Sequence, residues 1–179
     1  MEQRKIVLFI AASLDGYIAT QEHSLDWLFA VEGEGDNGYA AFYETVDTII
    51  MGRTTYDWVM DYEKGKFPYP GRECYVFSNT KTGIDANVRF TSGDIAPFVK
   101  ALKAKPGKHI WLVGGGELIA AFLREHLVDE IILTIAPVLL GTGIPLFKAI
   151  PVQNMLQLTG IQRYGQFAEL HYDVLQPNA

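Results

Sequence analysis

Three short segments of this sequence bring together residue types suited to holding phosphate. The first is Val113-Gly114-Gly115-Gly116-Glu117-Leu118, between the apolar stretch Ile110–Val113 and an amphipathic helical pattern. Glycines at such a junction let the backbone approach a ligand closely. The start of the helix then offers unpaired N–H groups and a positive dipole end to an anion such as pyrophosphate. A tight strand–helix turn is the alternative reading, although three consecutive glycines exceed what a turn needs. The second segment is Met51-Gly52-Arg53-Thr54-Thr55-Tyr56. Here Gly52 permits close approach, Arg53 carries a fork of donors matched to phosphate, and Thr54 and Thr55 add hydroxyl and backbone donors. An ordinary helix start with an exposed arginine would look the same. The third is Phe77-Ser78-Asn79-Thr80, where small hydroxyl and amide side chains cap a turn or hold a phosphate. None of these meets a standard nucleotide fingerprint. The third glycine of G-x-G-x-x-G would fall at Ile119, and no Gly-Lys-Ser/Thr follows the glycines.

Other constellations are weaker. His23, His109, His126 and His171 lack the paired spacing of a metal site, so no metal is expected. There is no G-x-S-x-G nucleophile elbow. Trp111 sits in an apolar run and reads as core, whereas Trp27 and Trp58 lie nearer the expected cleft and could stack on a flat ring. Asp15-Gly16 reads as a turn.

The elements that must position these residues alternate between strands and helices. Ile6–Ala12 reads as a buried strand, Tyr39–Val46 as a short helix, Thr48–Met51 as a strand and Thr54–Met60 as the start of a helix. Glu73–Phe77 and Asn87–Phe90 read as strands, and Ile95–Lys103 as a helix with Asp94 at its N-cap. Ile110–Val113 is a strand, Leu118–Leu127 a helix and Glu130–Pro137 a strand. Met155–Arg163 and Phe167–Val174 flank Tyr164-Gly165 as a hairpin. This order predicts an α/β fold: a mostly parallel sheet covered by helices, with antiparallel strands at one edge. Ligands of such sheets sit at the carboxyl ends of the strands, where all three phosphate-friendly segments fall.

Composition bounds the rest. With 179 residues, 49% of them hydrophobic, the chain suits one domain spanning residues 1–179. A net charge of −6 without a basic stripe argues against nucleic acid as a partner. No segment approaches the ~20 apolar residues of a membrane span, and the first apolar run reads as a strand rather than a signal peptide. Cys74 is the single cysteine, which leaves no intrachain disulfide. A cytoplasmic protein is expected.

The same segments carry a family resemblance. Ala12-Ser13-Leu14-Asp15-Gly16-Tyr17-Ile18-Ala19, the Met51–Tyr56 run, the Val113–Leu118 run and Leu127-Val128-Asp129-Glu130-Ile131 resemble the dihydrofolate reductase superfamily. Residues 137–147, PVLLGTGIPLF, look closest to the reductase domain of bifunctional riboflavin-biosynthesis proteins. The resemblance implies a three-layer fold with a sheet of about eight strands, NADPH as cofactor and a homodimer. By position it implies that Arg53, Ser78 and Asn79 meet the adenosine 2′-phosphate. Gly114, Gly115, Gly116, Glu117 and Leu118 would form the pyrophosphate loop, with Gly52, Thr54 and Thr55 beside it. Asp15-Gly16 falls in the loop that closes over nicotinamide.

On the substrate side Asp36 stands near the place of the pterin-binding carboxylate, with Asp26 as the competing candidate. Gly35 and Gly38 flank the Asp36 segment and the usual proline is absent, which argues against folate. Asp36 and Asp15 are the candidate catalytic groups, and Trp27, Gly141 and Gly143 the candidate substrate contacts. The expected function is NADPH-dependent reduction of a small heterocycle, as by a 5-amino-6-(5-phosphoribosylamino)uracil reductase. The alternatives are a dihydrofolate or pteridine reductase and a non-catalytic NADPH-binding protein.

Overall fold

The apolar run that begins at Ile6 forms strand β1 (Ile6–Ser13), and it lies at the middle of the sheet. Ile6, Val7 and Leu8 are all buried although they point to alternate faces, as a strand covered on both sides requires. The computed structural model describes residues 3–177. After β1 come β2 (Tyr17–Ala19), two short helices, α1 (Asp26–Phe29) and α2 (Tyr39–Tyr43), then β3 (Val46–Gly52) and α3 (Arg53–Tyr62). Strands β4 (Glu73–Phe77), β5 (Gly83–Ile84) and β6 (Arg89–Thr91) lead to α4 (Ile95–Lys103), β7 (His109–Gly114) and α5 (Gly116–Arg124). The chain ends with β8 (Glu130–Ala136), β9 (Ile144–Pro145), β10 (Met155–Tyr164) and β11 (Phe167–Leu175).

Nine strands form the main sheet in the order β10-β11-β8-β1-β7-β3-β4-β6-β5. The six from β8 to β6 run parallel, while β11 is antiparallel to β8, β10 to β11 and β5 to β6. The sheet has one strand more than the resemblance implies, and β2 pairs with β9 in a separate two-stranded sheet. On one face, Leu8, Ile110 and Leu112 pack under α4 and α5 through Val99, Ile119 and Phe122. On the other, Val7, Met51 and Trp111 pack under α2 and α3 through Phe42 and Val59. The α/β three-layer architecture expected from the alternation is therefore the one observed.

Two helices differ in extent from expectation. Val46 was expected at the end of a helix, yet it opens β3, fully buried and paired with His109. The helix stops earlier because Thr45 turns back on it, its N–H and hydroxyl both donating to the Phe42 carbonyl at 2.8 and 2.7 Å. Helix α5 starts at Gly116 rather than Leu118 and ends at Arg124 rather than Leu127. It ends because His126 adopts a left-handed φ of 52°, with His126 N–H donating to Leu123 and Leu127 N–H to Phe122. That is a helix-terminating pair of reverse hydrogen bonds, here made without the usual glycine. Asp94 does occupy the N-cap of α4, but its side chain makes no capping hydrogen bond.

Candidate cofactor and substrate site

Sheet order brings the three phosphate-friendly segments together. Strands β7, β3 and β4 are neighbours and parallel, so their carboxyl ends share one edge. Met51 stands opposite Gly114 and Gly52 opposite Phe77 in the register. Two helices start at that edge, α3 from Gly52 and α5 from Gly115, and neither N-cap uses a side chain. The first-turn N–H groups of both are therefore left for an external acceptor. The two starts nearly touch: a Cβ on Gly52 would lie 3.8 Å from the Gly114 carbonyl oxygen and from the Gly115 nitrogen. Gly114 has φ +129°, a conformation open to glycine, and its peptide bond to Gly115 is cis. Gly115 itself is extended, at φ −82° and ψ −169°. Its glycine is needed for space rather than for backbone freedom.

A cavity of about 860 Å³ opens in front of this edge, within the range of small-molecule sites. Its walls include Gly52, Arg53, Thr54, Thr55, Ser78, Asn79, Gly115, Gly116, Glu117 and Leu118. Gly114 lies behind them as the turn that aims the loop. Arg53 is held by Asp57 one turn along α3, with Nε 2.8 Å from each carboxylate oxygen. That pairing uses Nε and not the two terminal nitrogens. Ser78 is buried, and its oxygen accepts the N–H groups of Thr80 and Lys81 at 3.2 and 2.9 Å. It shapes the turn at the end of β4, and its hydroxyl hydrogen is what it could offer a ligand.

Sequence reasoning missed several members of this site. Lys148 lines the cavity, its Nζ paired with the Glu117 carboxylate and its stem over Gly116. Trp58, which the sequence did place near the cleft, lines it too, and donates its indole N–H to the His23 carbonyl at 2.9 Å, which anchors the segment before α1 over the opening. The α1 side of the wall is made by Leu25 and Leu28, not by Trp27, whose indole N–H donates to the Ser24 carbonyl. Asp26 sits in the first turn of α1, outside the wall.

A second cavity of about 300 Å³ adjoins the first, sharing Ile10, Ala11 and Leu28 with it. Asp36 stands at its rim. The Asp36 oxygens accept the N–H groups of Gly38 and Ala40 at 3.0 and 2.7 Å, so the carboxylate caps α2. Phe9, Tyr39, Thr134 and Phe167 also contribute to this cavity. Behind Thr134 is a buried carboxylate that the sequence pattern does not reveal. Glu169, 3% exposed, accepts the Thr134 hydroxyl at 3.0 Å through one oxygen and contacts His171 Nε2 at 2.7 Å through the other.

Asp15, Gly141 and Gly143 lie outside the walls of both cavities. Asp15 instead joins two loops: its carboxylate accepts the Ser13 hydroxyl at 2.6 Å and the N–H groups of Leu140 and Gly141 at 3.1 and 2.8 Å. The Ser13 hydroxyl, followed by those backbone donors, holds its carboxyl below the usual value of 3.8. Gly143 packs against Tyr17, and the neighbouring Ile144 reaches the larger cavity. Among the described residues no cluster of His, Cys, Asp and Glu comes together as a metal site, and no helix is long and apolar enough to cross a membrane.

Comparison with known proteins fits this geometry. A model of the RibD C-terminal domain matches residues 4–168. The uncharacterized protein YwjB of Bacillus subtilis strain 168 is 46% identical over 171 residues, 95% of this chain and 98% of the relative. A crystal structure from Shewanella sp. PV-4, of a protein assigned provisionally to riboflavin biosynthesis, superposes with a TM-score of 0.87 at 32% identity, covering 96% of this chain and 99% of that one. Dihydrofolate reductase from Enterococcus faecalis, solved with NADP(H) and RAB-propyl, superposes with a TM-score of 0.65 over 97% of this chain and 98% of that one. At 16% identity the last likeness is one of fold.

Proposed function

This chain belongs to the RibD C-terminal domain family, and on that premise we propose that it is an NADPH-dependent reductase of a small heterocycle bearing a ribosyl or ribityl group, of the 5-amino-6-(5-phosphoribosylamino)uracil type. The observation that carries this reading is the meeting of two uncapped helix starts, α3 and α5, in one cavity beside an arginine. Two positive dipole ends converging on one space suit a pyrophosphate. A Cβ on Gly115 would stand 3.1 Å from Thr55 Oγ1, and one on Gly116 3.0 Å from the Pro145 carbonyl oxygen. The absence of side chains at these two positions keeps the cradle open.

In this reading Thr54, Thr55 and the Gly114–Leu118 loop hold the pyrophosphate, and the Lys148 ammonium stands beside it, its charge balanced by Glu117. Arg53, Ser78 and Asn79 receive the 2′-phosphate through charge-assisted hydrogen bonds, which favours NADPH over NADH. When bound, the reduced nicotinamide supplies a hydride. The chain's own contribution is placement and exclusion of water. The apolar Ile10, Ala11 and Leu28 stand where the two cavities join, and the Asp15 latch draws the loop after β1 onto residues 140–141. The substrate ring belongs in the smaller cavity, and a polar sugar chain would extend toward solvent near Asp36.

Asp36 has backbone donors on both oxygens, unlike a buried carboxylate free to pair with a pterin, so dihydrofolate is the weaker substrate. We also propose that residues 1–179 act as one domain, in a homodimer built on the edge strand β10, where Leu158 and Ile161 are exposed. Steady-state NADPH oxidation with the phosphoribosylaminouracil and with dihydrofolate tests the function. Turnover of the first and little of the second is expected. A kcat/KM for dihydrofolate above ~10⁴ M⁻¹s⁻¹ with no rate on the aminopyrimidine would reverse the assignment.

A further inference from the structure

A carboxylate that is 3% exposed requires a reason, because burial of a charge is costly unless it is fully paired. Glu169 is paired twice, by the Thr134 hydroxyl and by His171 Nε2. It stands directly opposite Thr134 in the register of β11 on β8, and Gly160 of β10 faces the His171 ring with no side chain to crowd it. Thr134 borders the smaller cavity, and Glu169 lies behind it. A hydroxyl has one hydrogen and two lone pairs. Since Glu169 is acceptor-only when ionised, it takes that hydrogen, and Thr134 can present only lone pairs to the cavity.

We infer that Glu169, braced by His171, fixes Thr134 as an obligatory hydrogen-bond acceptor in the smaller cavity and so selects a flat heterocycle that presents a ring N–H there. Glu169 and His171 are positioning residues, and Thr134 makes the contact. The surrounding wall suits a flat ring, with Phe9, Phe29, Tyr39 and Phe167 all contributing aromatic surface to it. A volume of about 300 Å³ matches one small ring system rather than a cofactor. A donor-bearing edge gains the acceptor, whereas an edge without hydrogens leaves Thr134 unpaired and loses affinity. The inference rests on the reductase reading for its biological meaning, because it names the edge of the substrate that this cavity reads.

The test uses 6-aminouracil and 6-amino-1,3-dimethyluracil as probes, titrated by calorimetry or ligand-observed NMR in the presence and absence of NADPH. The wild-type chain should bind the first and discriminate against the second, which lacks the ring N–H groups. Glu169→Gln should weaken 6-aminouracil by at least about tenfold and abolish the discrimination, since an amide can donate to Thr134 and turn its hydroxyl outward. Thr134→Val should do the same, and Thr134→Ser should restore binding, which a purely structural role would not predict. NADPH affinity should stay unchanged in the Thr134 variants, which also reports that they fold. Equal affinity of wild type and Thr134→Val for 6-aminouracil, or no binding of that probe to the wild type, would overturn the inference. If the probe discriminates as stated but NADPH does not bind, the acceptor site stands and the reductase reading falls.

Discussion

Thr55 and Gly115 face each other across the mouth of the cavity, the threonine Oγ1 lying 3.1 Å from the point where a side chain on Gly115 would begin. They belong to different helix starts, and the distance between them limits what can enter. Because Gly115 is extended, a β-branched residue there meets no backbone conflict. Gly115→Val should therefore leave the chain folded while its two methyl groups fill the space between α3 and α5. Circular dichroism should be unchanged, and NADPH titration should show no binding. Retained affinity would mean that the glycines serve only the chain reversal.

A second expectation concerns Arg53. Its Nε is fixed by Asp57, a pairing that does not use the terminal nitrogens, and the proposed partner of those nitrogens is a dianionic phosphate. Arg53→Ala should cost on the order of 1.5–3 kcal/mol in NADPH binding, as for hydrogen bonds to charged groups, and almost nothing for NADH. Dissociation constants from fluorescence titration decide it. Equal losses for the two cofactors would remove the 2′-phosphate from the assignment.

These two positions were legible in the sequence for a physical reason. Gly115 and Arg53 reach the cavity through the strand–helix junctions in which they stand, so composition and local order reveal their placement. Lys148 and Glu169 were not legible, because topology alone brings them to the site. Lys148 reaches Glu117 from 31 residues away, with no local pattern to announce it. Glu169 lies in Ala168-Glu169-Leu170-His171, which reads as an alternating strand with its polar face in water. Pairing of β11 beside β8 turns that face onto Thr134 instead. Among the elements, long periodic strands and helices were readable, whereas β2, β5 and β9 were not. They are two or three residues long and exist only because a partner strand is there.

Buried acids of high pKa give an alkaline expectation. Burial pushes the Cys74 thiol from 9.0 to about 12, and burial together with the Glu73 hydrogen bond raises Tyr75 from 10.0 to about 12. Both groups stay neutral in the folded chain after the unfolded chain has begun to ionise. Unfolding therefore releases protons in this window, and stability, fully present below pH 9, declines as pH rises toward about 12. Urea midpoints measured at steps across that range should fall continuously. At neutral pH Cys74 should resist a thiol reagent until the chain is unfolded, since the thiolate is the reactive form. Prompt labelling of the native protein would show that the site between β3 and β6 opens readily.

The last expectation is for the Asp15 latch. Its carboxylate joins the turn after β1 to the Leu140 and Gly141 amides, while Leu14 N–H donates to Val138 and Leu146 N–H to Gly16. The two backbone links remain when the side chain is removed, so Asp15→Ala should loosen the loops without unfolding the chain. Hydrogen exchange should quicken at Leu140 and Gly141 and stay slow at the centre of β1. The same amides should respond to acid in the wild type. Because the folded carboxyl titrates below 3.8, the latch is complete above that pH and is lost as pH falls through the lowered folded value. If the loops close the cofactor site, Asp15→Ala should raise KM for NADPH more than it lowers kcat, because the nicotinamide would be held less firmly. Unchanged exchange at Leu140 and Gly141 would show that the backbone links alone hold the loops. Unchanged kinetics with faster exchange would separate the latch from catalysis.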